Sequence, residues 1–310
     1  MQTTLRTAVT FEGVGLHTGA PVRMTVNPAS AGTGIRFRRT DIATDGTGRN
    51  PIVPARWDAV VPSKLCTLIE NADSVTVSTI EHIMAALSGC GFHNALIDID
   101  GPEVPILDGS ALAFVEGLLE AGQRQLSSPL IAIEILAPVE VQDGLAVARL
   151  EPAETLEIDF CIDFADAAIG HQEKHLRLAN GAFVRELSDS RTFCRQSDVD
   201  AMRANGLALG GTYENAVVVD GDRILSPGGL RHTDEAVRHK MLDAVGDLAL
   251  AGGPILGRYT GHRAGHAMTN RLLRALFSQP EAWRLVECRG ARRRILPGVD
   301  VHRSDIPAVA

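Results

Sequence analysis

Short apolar runs separated by turn residues open the chain: LRTAVTFEG (5–13), PVRMTVNPA (21–29) and GIRFRR (34–39) read as strands bounded by Gly, Pro or Asn. The period then changes. In STIEHIMAALSGCG (78–91), Ile80, Ile83, Met84 and Leu87 recur at helical spacing, and Gly89 and Gly91 supply a stop. A buried-type strand, ALIDIDG (95–101), and a helix, ALAFVEGLLEAG (111–122), follow. The polar stretch QRQLSSP (123–129) is the best linker, after which the pattern restarts with strands in LIAIEILAPVEV and LEIDFCIDF. Helices are expected from about Val199, Glu235 and His266, with a strand-rich stretch, YENAVVVDGDRIL (213–225), between the first two. The expected fold class is therefore α+β, with sheet plus helices in each half, an N-terminal domain over 1–126 and a C-terminal domain over 127–310.

One segment breaks the simple pattern. At about 100° per residue, a helix over 235–249 puts Val237, Met241, Val245 and Leu248 on one face and Glu235, His239, Asp243 and Asp247 roughly opposite, with Gly246 beside the polar stripe. A solvated face explains this spacing, and the helix alone favours it. A metal half-site explains it too, because His and Asp one turn apart can converge on one cation. The third ligand would come from His82, which points away from the apolar stripe of its own segment. Its neighbour Glu81 is either a base beside the metal or, in Ser78-x-x-Glu81, half of a capping box. Two His and one Asp leave a fourth position open, as in a catalytic site.

Other polar residues carry less. His171-Gln-Glu-Lys-His175 has two His four apart but fits no zincin signature, and a loop or strand there would keep the rings apart. In TGHRAGHAMTNRLLRALF (260–277), His266 opens a helix and gains interest if Asp247 orients it as a proton donor; His262 is a weaker candidate.

Composition narrows the class. With 45% apolar and 22% charged residues the chain is globular, and a net charge of −8 leaves no basic excess for nucleic acid. No signal peptide or membrane-crossing run is present in the sequence, so a cytoplasmic protein is expected. Five scattered cysteines without a C-x-x-C pair point to reduced thiols rather than a disulfide framework or a Cys-built zinc site.

Taken together, GVGLHTG, STIEHIMAAL, GPEVPILDGSA, SRTF, GLALGG, VRHKMLDAVGDLAL and GHRAGH resemble the UDP-3-O-acyl-N-acetylglucosamine deacetylase family, zinc amidases at the committed step of lipid A synthesis in Gram-negative bacteria. The resemblance runs from about Leu5 to Phe277 and implies a function: zinc-dependent hydrolysis of an N-acetyl amide on an acylated UDP-sugar, releasing acetate. It implies two sheet-and-helix sandwiches with the active site between them. It puts His82, His239 and Asp243 on the zinc ligands (with Fe2+ an alternative ion), Glu81 on the general base, His266 on the acid or stabilising His, and Asp247 on its partner. Thr192 falls on the oxyanion hydroxyl; Phe193, Lys240, His17, Asp198 and Arg263 fall on substrate contacts; Met202 to Val219 fall on an acyl-chain tunnel. A monomer is expected, and a lipid-bearing substrate allows transient membrane contact. Two features depart from the family: Asp166-Ala167 stands where relatives often carry His-Pro, and the tail beyond Phe277, with Arg292, Arg293 and Arg294, matches nothing and reads as a solvated end. A metal-free acid–base lyase using Glu81 and His266 remains as an alternative, as does an amidase for another acylated amino sugar.

Overall fold

The computed structural model describes residues 1–43 and 46–308. Five strands form a first sheet in the order Val9–Val14, Pro21–Pro28, Ala95–Ile99, Ile35–Arg39, Ile52–Pro54; only Ala95–Ile99 and Ile35–Arg39 run parallel. A second, seven-stranded sheet is built around Ile255–His262. That strand pairs antiparallel with Ala146–Pro152 on one side and parallel with Leu156–Asp163, while its first residues pair parallel with Ile131–Ile135. Val139–Asp143, His171–Arg177 and Trp283–Glu287 complete it. The architecture is α+β, as the alternation of strand-like and helical periods predicts.

Five helices matter for the site: α1 (Glu81–Gly89), α2 (Leu112–Ala121), α3 (Gln196–Ala204), α4 (Glu235–Ala249) and α5 (His266–Phe277). Helix α2 packs on Val9–Val14, α4 on Leu156–Asp163, and α5 on Val139–Asp143 and Ala146–Pro152. Helix α1 touches both α2 and α4, so the helical layers of the two halves meet each other between the sheets. Leu156, Ile158, Phe160 and Ile162 alternate inward along their strand to receive α4, and Ile83, Met84 and Leu87 of α1 are buried. Each such side chain contributes roughly 1.5–3 kcal/mol by leaving water.

The close packing of α1 against α4 depends on one glycine. A Cβ on Gly246 of α4 would lie 2.0 Å from the carbonyl oxygen of Glu81, at the start of α1. Without a side chain there, the two helix backbones cross almost in contact, and the polar stripe of α4 is covered by α1. The solvated-face expectation for that stripe is thereby overturned: His239, Asp243 and Asp247 are only 3%, 4% and 3% exposed.

Two further expectations change. The linker stretch starts as a strand, Gln123–Gln125, paired antiparallel with Thr3–Leu5, so the chain's first residues clamp the connection between the halves. The C-terminal tail is not simply solvated, because Leu296 is buried with Leu130, Ala132, Leu256 and Cys288, and Asp305 pairs with Arg185 at 2.8 Å. No helix of the described residues is long and apolar enough to cross a membrane.

Candidate active site

Helix α1 presents its first two residues, Glu81 and His82, to the stripe on α4. The capping-box alternative for Glu81 is not realised: the helix begins at Glu81 itself, Ser78 ends a strand, and the Ser78 hydroxyl donates to the Pro102 carbonyl. Glu81 Oε2 instead accepts the backbone N–H of Thr67 at 3.1 Å.

The imidazoles of His82 and His239 stand edge to face, with centroids 5.0 Å apart. Their Nε2 atoms lie 3.6 and 3.3 Å from Asp243 Oδ1. That oxygen is buried and has no hydrogen-bond partner, an arrangement that costs free energy unless something positive sits between the three donors. Two features suit the donor set to a cation. His239 Nδ1 donates to the Ser190 carbonyl at 3.0 Å, which leaves the Nε2 lone pair facing Asp243. Burial also pushes His239 down to about 4, so the ring is neutral at pH 7. Burial opposes ionisation of Asp243, but His239, Lys240 and His266 hold it well below the usual carboxylate range. Lys240 donates to its other oxygen at 2.8 Å. Two buried imidazoles and one carboxylate, with ligand atoms all within 4.8 Å of one another, fit a divalent ion of the zinc type.

One turn beyond Asp243, Asp247 Oδ2 accepts from His266 Nδ1 at 2.8 Å. His266 Nε2 is then turned toward Glu81 Oε1, 3.7 Å away, and toward Asp243 Oδ2, 3.9 Å away. Burial lowers the basicity of His266, yet the carboxylates of Asp247, Glu81 and Asp243 push it up to about 9. Burial raises the Glu81 carboxyl, the direction that favours proton acceptance near neutral pH. A carboxyl group and an imidazole, each with its pKa raised, therefore flank one buried donor set.

A cavity of roughly 510 Å³ opens onto this cluster. His239, Lys240, Asp243, His266, Thr192, Phe193, His17 and Asp198 line it. Both ring nitrogens of His17 are buried without a partner there, while its backbone N–H donates to Glu103 Oε1 at 2.8 Å. The apolar part is walled by Val199 and Met202 of α3 with Ala208, Ala216 and Val218, all but Val199 within the stretch expected to line an acyl tunnel. Arg263 is not in this lining and pairs with Asp163 at a sheet end; His262 bonds the Leu145 carbonyl rather than Asp247.

His171 and His175 lie on one strand and pair with separate carboxylates, Glu173 at 3.0 Å and Asp159 at 2.6 Å, so that spacing brings no rings together. Cys161, His171 and Glu173 do have ligand atoms within 4.8 Å of one another, though His171 and Glu173 are exposed on the sheet surface. Sequence reasoning missed Thr67, which is buried and whose hydroxyl donates to Asp247 Oδ1 at 2.6 Å. It also missed Glu103, whose carboxylate accepts from His17, Thr18 and Thr79. A lone Thr in SKLCTLIE carries no pattern that marks it.

The sequence matches the family described as LpxC: UDP-3-O-acyl N-acetylglycosamine deacetylase over residues 2–278. A protein named UDP-3-O-acyl-N-acetylglucosamine deacetylase from Phenylobacterium zucineum (strain HLK1) is 52% identical over 284 residues, covering 92% of this chain and 96% of that protein. One of the same name from Shewanella sp. (strain W3-18-1) is 44% identical over 287 residues, covering 92% of each. With a match over nearly the whole chain and the buried His82, His239 and Asp243 cluster at its centre, this chain belongs to the UDP-3-O-acyl N-acetylglycosamine deacetylase family.

Proposed function

We propose that this protein hydrolyses the N-acetyl amide of a UDP-3-O-(3-hydroxyacyl)-N-acetylglucosamine, giving acetate and the free amine, as a zinc-dependent enzyme of lipid A synthesis in the cytoplasm. The observation that carries the reading is the unpartnered Asp243 Oδ1, with two imidazole Nε2 atoms aimed at it and a proton acceptor and donor beside it. His82, His239 and Asp243 would hold a zinc ion, which when bound would supply Lewis acidity toward the acetyl carbonyl and make a water easier to deprotonate.

The chain's own groups do the rest. Glu81 takes the proton of the attacking water at Oε1, since Oε2 is already occupied by the Thr67 amide. Thr192 lines the same cavity, and its hydroxyl is the donor to the oxygen on which negative charge develops. An amine is a poor leaving group, so His266 Nε2 gives it a proton, and Asp247 at Nδ1 keeps the ring charged and aimed. Lys240, held against Asp243, extends a cation to the cavity wall where a phosphate or sugar oxygen can meet it. Phe193 covers the sugar, His17 and Asp198 add polar contacts, and the acyl chain takes the apolar part walled by Met202, Ala208, Ala216 and Val218. Arg263, outside that cavity, would meet only a part of the substrate that projects beyond it.

The proposed domains, 1–126 and 127–310, then divide the machinery: Glu81 and His82 come from the first, and His239, Asp243, Asp247 and His266 from the second. A metal-free lyase would leave the Asp243 oxygen without a partner at the bottom of the site, which weighs against it. The test is acetate release from that substrate by purified protein, with and without a chelator and zinc add-back. Release that stops with chelator and returns with zinc supports both reaction and cofactor; no release under any metal condition overturns the proposal.

A further inference from the structure

Thr67 immediately precedes the strand Leu68–Glu70, which pairs with Val60–Val61 and Thr76–Ser78 in a small separate sheet. It belongs to neither of the helices that carry the polar cluster, yet it reaches both. Its amide donates to Glu81 Oε2 at 3.1 Å and its hydroxyl to Asp247 Oδ1 at 2.6 Å. The hydroxyl is the donor in the second bond, and the other Asp247 oxygen accepts from His266 Nδ1. Thr67 is 3% exposed, so no bulk water competes for either bond.

We propose that Thr67 is a positioning residue that sets the separation between proton acceptor and proton donor, by holding Glu81 through its amide and Asp247 through its hydroxyl. The inference rests on the deacetylase function proposed above. A carboxylate with two equivalent oxygens turns freely about its last bond unless one oxygen is engaged. The Thr67 amide engages Oε2 and leaves Oε1 facing His266 Nε2. The hydroxyl does the same for Asp247, leaving Oδ2 for the imidazole. Both members of the acid–base pair are thus referenced to one residue on a third element, and small relative motions of α1 and α5 are countered there. Hydrogen-bond partners one layer behind reacting groups typically change activity by about 10- to 100-fold when removed.

The test uses the zinc-loaded full chain. Thr67→Val preserves shape and amide but removes the hydroxyl; Thr67→Ser keeps both donors. The expected result is a kcat lower by about 10- to 100-fold in Thr67→Val, with KM and zinc stoichiometry near wild type, and a kcat restored to within about threefold by Thr67→Ser. Placed in an Asp247→Ala background, Thr67→Val should add little, because its partner is already gone. A Thr67→Val enzyme with wild-type kcat, one that loses zinc or substrate affinity instead, or full additivity with Asp247→Ala would overturn the inference. If the Val variant does not fold, Thr67→Ala is read against the same outcomes. Failure of the wild-type protein to release acetate would sink the proposed function itself, whereas an active wild type with an unaffected Thr67→Val sinks only this inference.

Discussion

Replacing Gly246 by Ala should damage the site far more than the fold. The added Cβ would stand 2.0 Å from the Glu81 carbonyl oxygen, and real Cβ atoms essentially never come within 3.0 Å of another heavy atom, so the backbones of α1 and α4 must part by about an ångström. Overpacking of this kind costs about 1–3 kcal/mol. Alanine is the better helix former by about 1 kcal/mol, which offsets part of that. Against a total stability of about 5–15 kcal/mol the variant should still fold. The proposed metal ligands, however, sit on opposite sides of this crossing, His82 on α1 and His239 with Asp243 on α4. An ångström of misplacement at reacting groups is worth about 100-fold in rate. Denaturant unfolding of the zinc-free protein should therefore show a net loss of about 0–2 kcal/mol, with acetate release down about 100-fold and zinc lost more readily to a competing chelator. Activity and zinc retention both within about threefold of wild type would refute the claim that this close crossing sets the site.

Glu81→Gln should keep bound metal, because Glu81 is not among the converging donors, while acetate release falls by at least about 100-fold; near-normal turnover would remove Glu81 as base. His239→Ala should lose most of its zinc by elemental analysis, and full occupancy there would dismiss the ligand set. In the zinc-free protein, His266 should titrate near 9 by NMR, opposed by burial but raised by Asp247, Glu81 and Asp243. Because its folded value is raised, the stability it contributes is complete below about 6.5 and lost as pH rises through about 9; a midpoint at or below about 6.5 would contradict the carboxylate cage drawn around it.

Much of the helical framework was legible because its periodicity is strong: Ile80, Ile83, Met84 and Leu87 mark α1, and Val237, Met241, Val245 and Leu248 mark α4. Helix α3 begins three residues before the expected Val199, within the usual uncertainty of a helix boundary. The burial of the polar stripe was not legible, because it depends on a contact between residues far apart in sequence, made possible by a glycine whose neighbours the sequence does not name. The i,i+4 spacing of His239, Asp243 and Asp247 is equally good for solvent and for a cation, and only the covering helix decides between them. The strand Ile255–His262 escaped notice because Gly257 and Gly261 look like turn residues. In the sheet they sit where Ile135 and Phe160 press close, at 2.6 and 2.7 Å from where a Cβ would lie. Thr67 shows the same limit at the level of one residue, since its importance lies in two hydrogen bonds and in no pattern.

The division of the converging donors between α1 and α4 also bears on how the polypeptide is made. When the segment through Gly89 has left the ribosome, it carries only one of the three converging donors, His82; the other two, His239 and Asp243, wait until the Glu235–Ala249 segment is synthesised and docked. With the donor set proposed above, ion uptake would be a late event that reports completion of the central helix pair. Once captured, an ion present at a thousandfold over its dissociation constant stabilises the docked arrangement by about 4 kcal/mol. The same cluster that would perform chemistry then serves as a latch, and starvation for the ion would lower the amount of intact protein as well as its activity.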